Sequence, residues 1–311
     1  MQIVNTGLGI LCPGQGTQQP DMFVGLARHE PAAPILDAAS EVLGFDLHDL
    51  PDISKTVDIF QNDIAQVLLC ASSIATWFLL REEVPVPVVF AGYSVGELAA
   101  YGCAGALDPA ETFALARQRA KLMDGCPPGG LLAIQGLNKS QITTLCDRHH
   151  LEIAIINSHI HFVLGGEVDL LKCAATEASR RGAKNVRLLN VAVASHTSMM
   201  TSAVAKFHDL LVRSKFEAPV VPVLSCAVAK PVFDRGSGIA SLANQLSNIL
   251  QWSGCMRAAT EMGASVFLEM LPGSSLTKMV LSEVNGASAR ACSEFKTLKG
   301  SSEWVRRQVA Q

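Results

Sequence analysis

Gly92-Tyr93-Ser94-Val95-Gly96-Glu97 is the stretch whose residue types and spacing could do chemistry. It follows an apolar, β-branched run at 84–90 and precedes a small-residue helical segment at 98–102. Gly-x-Ser-x-Gly between a strand and a helix is the setting of a nucleophile elbow. Glycines on either side let backbones pass closely, and the serine hydroxyl is left exposed at the strand's end. The following helix N-terminus favours a developing negative charge there. The elbow alone allows a serine hydrolase or thioesterase as readily as an acyltransferase.

A serine nucleophile needs a base, and eight histidines are available. His196 stands at an expected strand-to-helix junction, Val193-Ala194-Ser195-His196-Thr197, where it can share the sheet edge with Ser94. His149-His150 and His159-x-His161 lack an accompanying cysteine or carboxylate cluster, so no metal site is expected. Arg119 sits among Leu115, Ala116, Ala120 and Leu122 on an apolar helix face. A buried arginine calls for a carboxylate, from a ligand or from a structural ion pair. Arg117 reads as its solvated neighbour.

The elements that must position these groups follow from composition and pattern. A chain of 311 residues can bury a large core and hold one large domain plus a smaller one. It is 49% hydrophobic and 17% charged, against about 25% charged in a typical protein, which favours a sheet covered on both faces. A net charge of −3 gives no global case for nucleic acid or an anionic membrane surface. Nine scattered cysteines without a Cys-x-x-Cys pair suit reduced thiols in a cytoplasmic protein. The N-terminus lacks a basic signal-like region. The most apolar helix, 64–80, is interrupted by Gln66, Ser72, Ser73 and Thr76 and is not expected to span a bilayer.

Along the chain, a first strand is expected at 9–12, ending in the Gly-rich loop 13–18. Helices are expected at 31–42 and 63–81, then a strand at 86–90, the elbow, and a helix opening at Asp108-Pro109. After the linker 125–130 the order becomes β-α-β-β-α-β, the ferredoxin-like arrangement. The expected fold is therefore α/β: a large α/β-hydrolase-like domain with a parallel sheet, residues 1–128 and 191–311, and an inserted small domain, 129–190. Later elements are helices at 195–212, 239–250, 253–262 and 276–283 and strands at 221–224 and 265–270, with a turn-rich loop at 227–238.

These motifs together resemble the malonyl-CoA:acyl-carrier-protein transacylase family over nearly the whole chain. Pro13-Gly14-Gln15-Gly16-Thr17-Gln18 is similar to its N-terminal Gly-Gln-Gly-Ser/Thr-Gln motif, and the elbow to its Gly-His-Ser-x-Gly-Glu. Arg119 falls 25 residues after the serine, where that family carries its malonate-binding arginine. Ser195-His196, Asn157-Ser158, and Asn244-Gln245-Leu246 followed by Trp252 match further motifs. Departures are Tyr93 for the usual histidine, 249–252 for a Pro-x-Arg-Trp type ending, and 157–161 for Asn-Ser-Pro-x-Gln. The elbow Gly-Tyr-Ser-Val-Gly-Glu-Leu-Ala-Ala is similar to that of malonate decarboxylase epsilon subunits, transacylases of this fold.

The resemblance implies a ping-pong acyltransferase without a cofactor. Malonyl-CoA would acylate Ser94 with His196 as base, and an acyl carrier protein would take the malonyl group on a phosphopantetheine-type thiol. Backbone N–H groups of Gln15 and Val95 would form the oxyanion hole. Gln245, by side chain or main-chain carbonyl, would hold His196, and Arg119 and Asn157 would bind substrate. Malonate decarboxylase, with its carrier subunit, is the expected setting, and fatty-acid or polyketide synthesis the alternative. Basic residues Arg180, Arg181, Lys184 and Arg187 are candidates for docking an acidic carrier.

Overall fold

The computed structural model describes residues 6–310. Its larger sheet is built from β1 (Gly7–Cys12), β2 (Val89–Gly92), β7 (Val223–Ser225), β8 (Lys230–Val232), β9 (Ala264–Glu269) and β10 (Ser288–Ala291). The strand order is β10-β9-β1-β2-β7-β8, parallel except for β8, which runs antiparallel to β7. The central strands β1 and β2 are apolar and almost wholly buried, because helices cover both faces of a parallel sheet. The helix Asn62–Leu80 is long and apolar enough to cross a membrane, but 83% of that window lies inside the protein core. Its apolarity is that of a core helix.

The smaller sheet uses β3 (Gly130–Gln135), β4 (Glu152–Ser158), β5 (His161–Gly166) and β6 (Asn185–Leu188). Its order β4-β5-β3-β6 is fully antiparallel, the ferredoxin-like topology expected from the β-α-β-β-α-β pattern. The helices Lys139–His149 and Val168–Arg180 close a separate core with Leu132, Ile134, Ile142, Leu145 and Phe162. The chain enters and leaves beside a bridge between Pro128 and Val193. A second bridge ties β4 to the larger part: Ile156 N–H donates to the Leu250 carbonyl at 2.8 Å, and Leu250 N–H to Ala154 at 2.9 Å.

Several elements differ from the sequence expectation, each for a local reason. The strand expected at 86–90 starts at Val89, since Pro85 and Pro87 have no N–H for the ladder. The helix expected from 195 begins at Thr201, after a short 3₁₀ turn at Ser198–Met200. The helix expected at 239–250 is Arg235–Asn244, fixed by Asp234, whose carboxylate accepts from Ser237 N–H at 2.9 Å. The loop 227–238 contains β8. Strand β10 and the helix Leu298–Val309 were not expected at all. The start at Asp108-Pro109 is as read: Asp108 accepts from Glu111 N–H at 2.8 Å, and Pro109 opens the helix Pro109–Asp124.

Candidate active site

The elbow forms where β2 runs into the helix Val95–Cys103. Ser94 takes φ 57° and ψ −117°, a strained conformation for a side-chain-bearing residue. The turn closes only because its flanks are glycine. A Cβ on Gly92 would lie 2.0 Å from the Gly96 carbonyl carbon, and one on Gly96 would lie 2.2 Å from Cys12 O. A Cβ on Gly14 would lie 2.5 Å from Tyr93 O, so the loop after β1 packs directly against the elbow.

His196 lies in the loop before Ser198–Met200, also at positive φ (64°), with its N–H bonded to Leu246 O at 2.8 Å. Its Nε2 is 2.8 Å from Ser94 Oγ, and its Nδ1 is 2.7 Å from the Gln245 main-chain carbonyl. A carbonyl only accepts, so the proton sits on Nδ1 and Nε2 is left to accept from the serine hydroxyl. The main-chain carbonyl of Gln245, and not its side chain, therefore fixes the tautomer. Burial, with the Arg119 charge nearby, pushes the His196 pKa down to about 3, only partly offset by the Gln245 carbonyl. The imidazole is a neutral acceptor.

Arg119 is fully buried on the helix Pro109–Asp124. Nη1 donates to Gln66 Oε1 at 2.8 Å and Nη2 to Gln245 Oε1 at 3.0 Å, both neutral amides, while Nε has no partner among the described residues. The structural ion pair considered for Arg119 does not form among the described residues. Burial lowers its pKa to about 10, partly countered by Cys70 and Glu97. Arg117, expected to be solvated, is instead half-buried, donating to Val42 O and pairing with Asp63 at 3.3 Å.

A cavity of about 470 Å³ opens between the two sheets beside the elbow, lined among others by Gln15, Tyr93, Asn157, His161, Arg187 and Met279. Asn157 is 2% exposed; its Nδ2 lies 3.4 Å from His161 Nε2 and its Oδ1 is unpartnered. Burial lowers the His161 pKa. His149, the last residue of the helix Lys139–His149, instead bonds Glu177 at 2.7 Å. Arg181 is likewise taken up by Glu177, whereas Arg187 reaches the cleft wall.

The structure thus brings Ser94, His196, Gln245 and Arg119 into one bonded group, with Gln15 and Asn157 lining the neighbouring cleft. The sequence reading gave no role to Gln66, Asn62 or Glu97. Gln15 Nε2 and Gln66 Nε2 both donate to Asn62 Oδ1, at 3.0 and 2.8 Å. Gln66 carried a usable signal: an amide inside an otherwise apolar helix must find a buried partner.

The arrangement suits acyl transfer, and comparisons with known proteins point to the same reaction class. The acyl transferase domain model matches residues 10–298. A malonyl CoA-acyl carrier protein transacylase of Salmonella typhimurium is 29% identical over 93% of this chain and 96% of its own. A polyketide biosynthesis malonyl CoA-acyl carrier protein transacylase of Bacillus subtilis is 29% identical over 86% of this chain and 94% of its own. Among solved structures, FabD of Acinetobacter baumannii superposes with a TM-score of 0.90 at 27% identity, covering 97% of this chain and 99% of that one. A malonyl-transacylase in complex with a type II PKS acyl-carrier protein gives 0.90 at 29%, covering 96% and 99%. The chain belongs to the acyl transferase domain family and is an acyltransferase.

Proposed function

We propose that the protein moves a malonyl group from malonyl-CoA to the thiol of an acyl carrier protein through an acyl-Ser94 intermediate. The observation that carries this reading is a buried guanidinium with an unpartnered Nε, bonded only to amides, beside a neutral Ser94–His196 pair. His196 Nε2 takes the Ser94 proton as Oγ attacks the thioester carbonyl, then returns it to the departing thiolate. The carbonyl oxygen becomes an oxyanion held by the N–H groups of Val95 and Gln15. Val95 opens its helix, so its N–H precedes any intrahelical acceptor. Arg119 takes the distal malonyl carboxylate, and Asn157 faces the thioester arm from the cleft. The carrier thiol then attacks acyl-Ser94 by the reverse steps.

Intact-mass measurement after exposure to malonyl-CoA should show one malonyl adduct, absent in Ser94→Ala. The adduct should persist until an acceptor thiol is added. An adduct on a cysteine would overturn the Ser94 assignment, and rapid hydrolysis without acceptor would favour a thioesterase.

Gln245→Ala should cost less than loss of His196, because the carbonyl on Nδ1 belongs to the main chain and survives the truncation. Its effect should fall on KM for malonyl-CoA, since Arg119 loses the acceptor at 3.0 Å. A kcat loss equal to that of His196→Ala would assign the side chain a direct part in the proton transfer.

The relatives named above favour fatty-acid or polyketide synthesis as the setting. A malonate decarboxylase setting is supported by the elbow Gly-Tyr-Ser-Val-Gly-Glu-Leu-Ala-Ala alone. Transfer rates to a fatty-acid carrier protein and to a malonate decarboxylase carrier subunit, measured side by side, separate the two.

A further inference from the structure

Glu97 is fully buried behind Ser94, and the acyl-transfer steps leave it without a task. It occupies the third position of the helix Val95–Cys103, where a glutamate ordinarily folds back onto the N-cap N–H. Here the side chain turns elsewhere. Oε2 accepts from Cys226 N–H at 2.9 Å and from Gln245 Nε2 at 2.7 Å, and Oε1 accepts from Ser241 Oγ at 2.9 Å. Two of these donors, the peptide N–H and the amide NH₂, cannot accept, so Oε2 is held as an acceptor, and the carboxylate form gathers three hydrogen bonds. Burial raises the Glu97 pKa on balance, and these hydrogen bonds to the charged form offset part of that push.

The same Gln245 side chain that donates to Glu97 accepts from Arg119 at 3.0 Å. Its amide dipole therefore lies with the oxygen on the cation and the NH₂ on the anion. A carboxylate in direct contact would fill the arginine's two-pronged donor edge, the edge a substrate carboxylate needs. We propose that Gln245 stands between Glu97 and Arg119 so that Glu97 offsets the buried guanidinium without occupying it, making Glu97 a positioning residue that sets how tightly a substrate carboxylate is held. The inference rests on the reading that Arg119 receives the malonyl carboxylate. A parallel relay runs on the other side, from Arg119 Nη1 to Gln66, from Gln66 to Asn62, and from Asn62 Nδ2 to Asp124 at 2.8 Å. Asp124 is exposed, so solvent screens its charge and Glu97 carries the larger share.

The test is calorimetric binding of malonyl-CoA and acetyl-CoA to the Ser94→Ala protein, which cannot turn over. Adding Glu97→Gln keeps the shape and removes the charge that competes with substrate. Malonyl-CoA should then bind about ten-fold tighter, the scale of one charge acting across several ångströms of protein, with acetyl-CoA unchanged. Adding Gln245→Glu instead places a carboxylate on the guanidinium itself. It should weaken malonyl-CoA by about ten-fold or more, again sparing acetyl-CoA. A merely structural Glu97 would weaken both ligands or neither, and a malonyl-to-acetyl affinity ratio unmoved by both changes overturns the inference. Should Glu97→Gln fail to fold, the sign of the Gln245→Glu effect decides alone. If the Ser94→Ala protein itself shows no preference for malonyl-CoA, the Arg119 reading falls first, and this inference with it.

Discussion

His196→Ala should lower the malonyl transfer rate by about 10²–10⁴-fold, the usual consequence of removing a positioned general base. Among the described residues, His196 Nε2 is the side-chain base that Ser94 Oγ meets, at 2.8 Å. The loss should appear in kcat for both half-reactions, because the same imidazole takes the proton and gives it back. A rate within ten-fold of the parent would refute the assignment. The environment also fixes a pH signature. His196 is held neutral down to about pH 3 in the folded protein, whereas an unfolded histidine protonates near 6.5. Its pKa is depressed by folding, so its contribution to stability is present above about pH 6.5 and is lost as pH falls toward 3. The activity profile should accordingly show no acid limb from the free base near pH 6.5. Thermal stability of the parent should fall through that window more steeply than that of His196→Ala.

The elbow proposed to carry the nucleophile was legible because short-range rules bind it. A strand-to-helix serine turn needs glycines two residues either side, and Gly92 and Gly96 sit where a Cβ would collide with backbone. The helix carrying Arg119 was equally plain, its Asp-Pro start being a local signal. The segment carrying His196 was not. Its positive φ and its bond to Leu246 come from a distant loop, and no local pattern announces a histidine held out of a helix by such contacts. Strand β10, Ser-Ala-Arg-Ala, lacks β-branched residues, so only its pairing with β9 makes it a strand. The amides around Arg119 escaped for the same reason. Asn62 and Gln66 stand one turn apart on the helix Asn62–Leu80 and Gln245 comes from far along the chain, and the meaning of Gln66 and Gln245 lies in the amide oxygen each turns to the cation.

Arg119→Ala should change which acyl group the enzyme accepts more than whether it works. The guanidinium is fully buried, two prongs end on neutral amide oxygens, and Nε has no partner. A malonyl carboxylate supplies the missing anion through charge-assisted bonds in fork geometry. An acetyl group supplies nothing and leaves the buried charge as it was, a state that costs several kcal/mol relative to a paired one. The parent should therefore favour malonyl over acetyl by two or more orders of magnitude in kcat/KM, at about 1.4 kcal/mol per factor of ten. Truncation to alanine removes the attraction and the unpaired charge together, so malonyl transfer should fall while acetyl transfer holds or rises. Arg119→Lys should recover only part of the malonyl activity, since an ammonium is a point charge and cannot span two carboxylate oxygens in one plane. His196 adds an internal control. The Arg119 charge helps keep the imidazole pKa low, so Arg119→Ala should raise it while the Gln245 carbonyl still holds the tautomer. The decisive measurement is kcat/KM for malonyl-CoA and acetyl-CoA in the parent, the alanine and the lysine variants. An equal loss for both thioesters would make Arg119 a structural residue and remove the basis for malonyl selection.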